Sequence, residues 1–350
     1  MSANIGWLFY KDYFRDINYA DMSDSKNESL IQQRVDNIIK QKAEIEQKEF
    51  IGNIHFSTTT TYPGLLLGSG NAHELSSVEG QAILGFSFDY TSGLPVIAGS
   101  SLKGVLRSVF RHKEYIQELL KDEQIDVKAL EKEIFDNGDI FFDATVSKSG
   151  LQLLGDDYIT PHKNAKKKKD KDGNLVDDAL CDPTPLRFIK VMPGVTFTFE
   201  FELSDGLITK EQKALLFAAI LADRGIGAKT NVGYGQFESN LAQKAKLQIE
   251  DYQEELKKQE QVHQEQLQEA QKSEVLASLD SNVEKIKVSI AEYTKADTKL
   301  IFEVIEVYEL SDDEKNELTD FLETHIGPKP APKNKAPIKW AIKVYELLGR

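Results

Sequence analysis

The sequence predicts an α+β fold, a sheet-and-helix domain over residues 1–240 followed by a mainly helical extension. Three observations predict it. Segments rich in β-branched and aromatic residues recur, one of them alternating strictly in polarity. Two capped apolar stretches of helical period separate these segments. Beyond residue 240, glycine and proline disappear from a long Gln-, Glu- and Lys-rich run.

After an aromatic-rich start, SKNESLIQQRVDNIIKQKAEIEQ spaces Leu30, Ile31, Val35, Ile38 and Ile39 as a helix does. NIHFSTTTT (53–61) reads as a strand, and AILGFSFDY (82–90) as a short strand-like piece. Ser100 or Ser101 can cap a helix through Leu102, Val105, Leu106 and Val109 to about His112. DIFFDATVS (139–147) is the second main strand, flanked by Asp139 and Asp143 as terminators. GVTFTFEFEL (194–203), with its two-residue period, is the third. Thr209 and Gln212 form a capping box that opens the helix TKEQKALLFAAILADRG. NVGYGQFES (231–239) is the last strand. The order β-α-β-β-α-β is the split β-α-β, or ferredoxin-like, arrangement, here with long insertions. The RNA recognition motif (RRM) shares that order and binds single strands on its sheet face.

Residues 241–282 read as one long, mostly solvated helix. Its partial heptad stripe of Ala245, Ile249, Tyr252 and Leu256 is interrupted by Gln259 and His263, which suits docking better than a coiled coil. Residues 283–350 form a small helical extension, with GPKPAPKNKAP (327–337) as a stiff linker before a closing helix.

Composition narrows the function. The 350 residues carry a formal net charge of -14, with 40% hydrophobic and 29% charged residues, a globular profile. No window approaches the roughly 18 apolar residues of a membrane span. The first residues lack the cationic lead and apolar core of a signal peptide, so a cytoplasmic location is expected. One cysteine, Cys181, excludes an internal disulfide and a cysteine-based zinc site. The acidity disfavours unguided nucleic-acid binding but leaves a local basic face open.

Two glycine-bearing motifs carry candidate chemistry. In GLPVIAGSSLKGVLRSVFR (93–111), Gly99, Ser100 and Ser101 open a helix whose free N–H groups carry positive dipole charge. Lys103 and Arg107, four apart, share a face beside it. Together they can form an anion pocket; the alternative is a capped helix with a solvated basic face. In RGIGAKTNVGYGQF (224–237), Arg224 and Lys229 stand among Gly225, Gly227, Gly233 and Gly235. The spacing is not that of a P-loop, because Ala228 intervenes before Lys229 and helix leads into strand. A loop that lets a strand's backbone approach closely is one reading, a helix C-cap before a glycine-bearing strand the other. The run AKKKKDKDGN (165–174) could touch a phosphate backbone or be a solvated loop. The six histidines show no metal-ligand or catalytic pairing, so no catalytic residue, metal or cofactor is expected.

LPVIAGSSLKGVLRS resembles the signature of RAMP proteins, the repeat-associated RNA-binding superfamily of CRISPR systems, and RGIGAKTNVGYGQFE resembles its glycine-rich loop. NIGWLFYKDYF, TTYPGLLLGSGNAHE, LGFSFDYTSGLP, DIFFDA and DYITPH together resemble the sixth RAMP subunit type of the type III-B (Cmr) effector. The likeness covers residues 1 to about 240. It implies a non-catalytic guide-RNA-binding and assembly subunit in antiviral defence, capping the filament near the guide 3′ end. The implied partners are CRISPR guide RNA, the backbone RAMP subunit, another RAMP subunit and the small helical subunit, with target RNA a further candidate. By motif match, Gly99, Ser100, Ser101, Lys103 and Arg107 fall in the RNA-facing helix start. Gly225, Gly227, Lys229, Gly233 and Gly235 fall in the glycine-rich loop, with Arg224 beside it. Two alternatives stand: a metal-independent endonuclease maturing guide RNA, for which His55 is the candidate acid–base group, and a purely protein–protein scaffold.

Overall fold

The computed structural model describes residues 4–42, 44–46, 49–67, 75, 78, 80–83, 85–136, 138–159, 167–169, 171, 173, 175–177, 185–331 and 335–350. The chain divides into two compact units, Met1–Gln253 and Glu254–Arg350. The first unit begins with helices α1 (Ile5–Tyr10) and α2 (Ser25–Lys40), then strands β1 (Ile54–Thr59) and β2 (Val96–Ile97). Helices α3 (Gly99–Val109), α4 (Lys113–Leu120) and α5 (Val127–Asp136) follow. Next come β3 (Ile140–Phe141), β4 (Ala144–Lys148), β5 (Leu154–Ile159), β6 (Lys167–Lys169), β7 (Leu175–Asp177), β8 (Leu186–Val191) and β9 (Thr196–Glu202). Helix α6 (Lys210–Arg224) follows, and the long α7 (Leu241–Ser278) begins in the first unit and runs past its end at Gln253.

The central strand is β9, because its alternation serves two environments at once. Phe197, Phe199 and Phe201 point inward and are fully buried, each stabilising by roughly 1.5–3 kcal/mol relative to exposure. Thr196 and Thr198 point outward, where their hydroxyls meet those of Thr59 at 3.0 Å and Ser57 at 2.7 Å. Strand β9 pairs antiparallel with β1 in the register Phe56↔Phe199 and with β4 in the register Thr145↔Thr198. The strand order is β1-β9-β4-β2, with β3 joined to the far end of β9. Helix α6 packs on the aromatic face, Phe217 lying 5.3 Å from Phe201 and 5.4 Å from Phe141 between ring centres. The free edge of β1 is covered by α7, since Ser57 N–H donates to Gln248 Oε1 at 2.7 Å, which blocks edge-to-edge association.

The capping box at Thr209 and Gln212 forms in both directions and starts α6 where the residues require. Lys213, on this helix, is buried and satisfied by Asp139 (2.9 Å), Glu133 (3.1 Å) and the Ser204 carbonyl (2.8 Å). Asp139 therefore answers a buried cation; it does more than end a strand.

Four expected elements differ. The segment 139–147 is two strands, β3 and β4, broken at Phe142 and Asp143, where Asp143 turns its carboxylate to the start of α3. Among the described residues of 82–90 there is no strand, only the single bridges Ala82↔Arg187 and Phe88↔Pro95. Their aromatic rings pack on α1 instead, Phe88 lying 5.3 Å from Phe9, and the Tyr10 hydroxyl donates to the Phe86 carbonyl. Residues 231–239 also form no strand. A 3₁₀ turn at Thr230–Val232 precedes Gly233 and Gly235, whose φ of 96° and 70° leave the extended region, and only Phe237 bridges to Thr60. Finally, Ser100 and Ser101 do not cap α3. Its N-cap is Ala98, and no side chain of the first turn takes that role. Helices α1, α4 and α5 and the antiparallel pair β5–β8 come in addition to the expected elements.

In the second unit, α8 (Asn282–Ile290), α9 (Thr298–Glu306), α10 (Asp312–His325) and α11 (Ala336–Leu347) enclose their own core. Val283, Ile286, Ile290, Ile301, Ile305, Leu318, Leu322, Ile326, Val344, Tyr345 and Leu348 are its buried residues. Residues 332–334 of the expected linker lie outside the described residues. Among the described residues, no helix is long and apolar enough to cross a membrane.

Candidate nucleic-acid interface

The start of α3 is closed by the chain itself. Gly99 N–H donates to Asp143 Oδ1 at 2.7 Å, so a carboxylate already meets the positive end of the helix dipole. Glycine is required there because a Cβ would stand 2.1 Å from the Phe141 carbonyl oxygen. Ser100 and Ser101 are exposed in the first turn. Lys103 lies with its ammonium 5.6 Å over the Phe141 ring. Arg107 is held by two carboxylates of α5, with Nε 3.0 Å from Glu131 and Nη1 2.9 Å from Asp136. Hydrogen bonds to Glu131 and then Asp136 push its pKa further up. Its charge is thus already answered within the chain.

The glycine-rich loop owes its residues to internal geometry. Gly225 ends α6 at φ 63° and donates to the Leu221 carbonyl. The loop then folds back on itself: Ile226 N–H donates to Gly235 O at 3.0 Å, and Gly235 N–H to Gly64 O at 2.8 Å. A Cβ at Gly235 would sit 1.8 Å from Ile226 O, and one at Gly227 2.3 Å from Leu66 O. Tyr234 donates to Asp157 Oδ2 at 2.7 Å, where the Lys190 ammonium also arrives at 2.6 Å. This contact anchors the loop to the β5–β8 pair. Lys229 stands exposed in a left-handed conformation at φ 59°.

The two motifs do meet, but at the other end of α3. A cleft of about 250 Å³ has Ser108, Arg111 and His112 on one wall and Arg224, Gly225, Gly227 and Thr230 on the other. Arg111 is braced by a bond from Nε to the Ser108 carbonyl at 2.6 Å. The Arg224 guanidinium lies 5.5 Å over Tyr115, whose hydroxyl donates to Asp223 at 2.5 Å. Among the described residues, Lys103, Arg111, Arg224 and Lys229 form no ion pair. Two guanidinium groups without carboxylate partners suit a phosphodiester, which accepts charge-assisted hydrogen bonds from them.

The structure therefore gathers Arg224, Gly225 and Gly227 into one cleft and leaves Gly99, Ser100 and Ser101 at the opposite end of α3. Gly233 and Gly235 shape the loop behind it. Arg111 and His112 were missing from the expected set. Their signal was present, since Arg111 and His112 directly follow the helix that carries Ser108, although α3 ends at Val109 and both stand in the turn before α4.

The other candidate surfaces are less suited to phosphate. A groove of about 1040 Å³ on the outer sheet face is lined by Glu44, Glu46, Glu49, Asp143 and Glu200 among Ser57, Thr145 and Thr198. His55, also on that face, is stacked on Phe50 at 3.5 Å and edge-on to Tyr252 at 4.4 Å. Burial lowers its pKa to about 4. Of the basic run 165–174, Lys167–Lys169 form β6 against β7, and most of the remainder lies outside the described residues, as do His73, His162 and Cys181.

Known proteins match part of this sequence. The RAMP superfamily is matched over residues 57–238, from β1 through the glycine-rich loop. The chain belongs to the RAMP superfamily. Within it, the chain resembles the Cmr6-type subunit of type III-B systems. It is 31% identical over 159 residues to the CRISPR system CMR subunit Cmr6 of Saccharolobus solfataricus, covering 44% of this chain and 48% of that one. The chain thus spans about half the length of that curated relative. Among solved structures, a chain of the type III-B Cmr-beta complex bound to cognate target RNA is 28% identical. That match covers 53% of this RAMP chain and 56% of the other, with a TM-score of 0.37. The crystal structure of Cmr6 from Pyrococcus furiosus is 20% identical over 52% of this chain and 96% of that one, with a TM-score of 0.32.

Proposed function

We propose that this RAMP chain is a guide-RNA-binding and assembly subunit of a cytoplasmic type III-B CRISPR effector. In this reading it caps the backbone filament near the guide 3′ end, beside the backbone RAMP subunit, another RAMP subunit and the small helical subunit. The observation that carries it is the cleft between α3 and the glycine-rich loop, where Arg111 and Arg224 converge without carboxylate partners. Arg111 and Arg224 clamp backbone phosphates there, Lys229 extends the track along the loop, and Lys103 serves a neighbouring phosphate. Arg107 orders α3 against α5. The sheet order, with Phe237 bridged beside β1, supports a ferredoxin-like core whose last strand has been reduced to one bridge. Guide RNA is the expected ligand of this cleft and target RNA a further partner of the assembled complex.

The chain acts without catalysis. His55, the acid–base candidate, sits between Phe50 and Tyr252 with a pKa near 4, so it holds no proton to donate at neutral pH. It also lies five residues along β1 from Thr60, roughly 17 Å from the loop's bridge. Expression with its companion subunits tests the whole reading: a small RNA of defined length should co-purify, and repeat RNA incubated in EDTA should remain intact. An RNA-free complex would contradict guide binding, and a discrete cut product would favour the nuclease.

A further inference from the structure

The second unit carries a charge segregation that the cleft does not use. In segment 327–350 the cationic residues are Lys329, Lys333, Lys335, Lys339, Lys343 and Arg350, and the one carboxylate side chain is Glu346, in a chain of net charge -14. Lys335, Lys339 and Lys343 recur every four residues along α11, so they rise along one side at about 6 Å intervals. All three are exposed, and none has a carboxylate partner among the described residues. On α9, Glu303 pairs with Lys299 at 3.4 Å. Between the lysines stands Trp340, half-buried, its ring 5.4 Å from Phe302 and 4.3 Å beneath the Lys343 ammonium.

We propose that this face of α11 is a second RNA-binding surface, taking the backbone of a single strand on Lys335, Lys339 and Lys343 with a base on Trp340. The opposite side of α11, Ala341, Val344, Tyr345 and Leu348, is consumed by the core of the second unit. The apolar side chains left outside that core, half-buried Ile338, Trp340 and Ile342 and exposed Leu347, do not make the wide apolar face that enters a bilayer, which argues against an anionic lipid surface. An acidic protein would satisfy the lysines but gain little from an aromatic ring among them, whereas a stacked base with flanking phosphates uses both. The surface goes beyond the cleft reading and does not depend on it.

The test uses the full chain with a labelled, unstructured single-stranded RNA, titrated across a salt series. Alanine at Lys339 and Lys343 keeps α11 intact, because alanine is the best helix former, and Lys335, the N-cap, has no side-chain capping bond to lose. Three lost phosphate contacts should lower the slope of log K against log salt by about 2. In a Trp7→Phe background only Trp340 remains fluorescent, and RNA should quench it while polyglutamate leaves it unchanged. An unchanged slope in the triple variant would overturn the proposal. So would polyglutamate or phosphatidylserine vesicles binding as tightly as RNA and losing that binding in the triple variant. Arg111→Ala with Arg224→Ala, measured in parallel, separates the two surfaces: loss only there refutes this inference, and loss only in the lysine variant refutes the cleft.

Discussion

Replacing Arg111 and Arg224 together should weaken RNA binding in a way that replacing Arg107 does not. All three arginines belong to the two motifs, Arg107 and Arg111 to the first and Arg224 to the second, and the motif match favours Arg107. The structure reverses that preference. The Arg107 guanidinium spends its donors on Glu131 and Asp136, while Arg111 and Arg224 face the cleft without a carboxylate. Each phosphate contact to a single strand contributes about 0.7 to the salt slope, so the double alanine variant should lose about 1.4. Between 50 and 200 mM salt, that makes the affinity loss about sevenfold smaller than in the wild type. Fluorescence anisotropy with guide-length RNA over that range reads the slope directly. Arg107→Ala should leave it unchanged and lower the thermal midpoint instead, by loosening α3 from α5. If Arg107→Ala removes as much slope as the double variant, the reasoning from ion pairing fails.

Three further outcomes follow from the first unit. His55 has a folded pKa near 4 against an ordinary 6.5, so the unfolded chain binds its proton first as pH falls. Its contribution is complete above pH 6.5 and is lost between 6.5 and 4; His55→Phe should flatten the fall in denaturant midpoint over that window. Gly235→Ala forces a Cβ against the Ile226 carbonyl at positive φ and should cost well over 1 kcal/mol, whereas Gly104→Ala, in the open middle of α3, should stabilise by about 0.5–1 kcal/mol in the same urea titrations. Asp139→Ala leaves the buried Lys213 ammonium with Glu133 as its one carboxylate and should cost about 1–3 kcal/mol, with the further loss of Glu133 raising the cost to about 3–5 kcal/mol.

What could be read from the sequence was local. The Thr209–Gln212 box and the Thr/Phe/Glu alternation of β9 are written in neighbouring residues, and both form as read. The last strand misled because Val232, Tyr234 and Phe237 look strand-like, while Gly233 and Gly235 turn the backbone out of the extended region. The anion pocket misled for a different reason. Asp143 closes the start of α3 from 44 residues away, and Glu131 and Asp136 reach Arg107 from another helix. Only tertiary packing decides which cations stay free. Arg111 was visible in the sequence, but it became a candidate once the loop was seen opposite it.

The central claim is that RNA lies in the cleft between the second half of α3 and the glycine-rich loop. Photocrosslinking of RNA in the assembled complex, followed by peptide mass spectrometry, tests it most directly. Crosslinks should fall on residues 108–112 and 224–230 and be absent from 99–101. Crosslinks concentrated at 99–101, or on the acidic outer face of the sheet, would contradict the account.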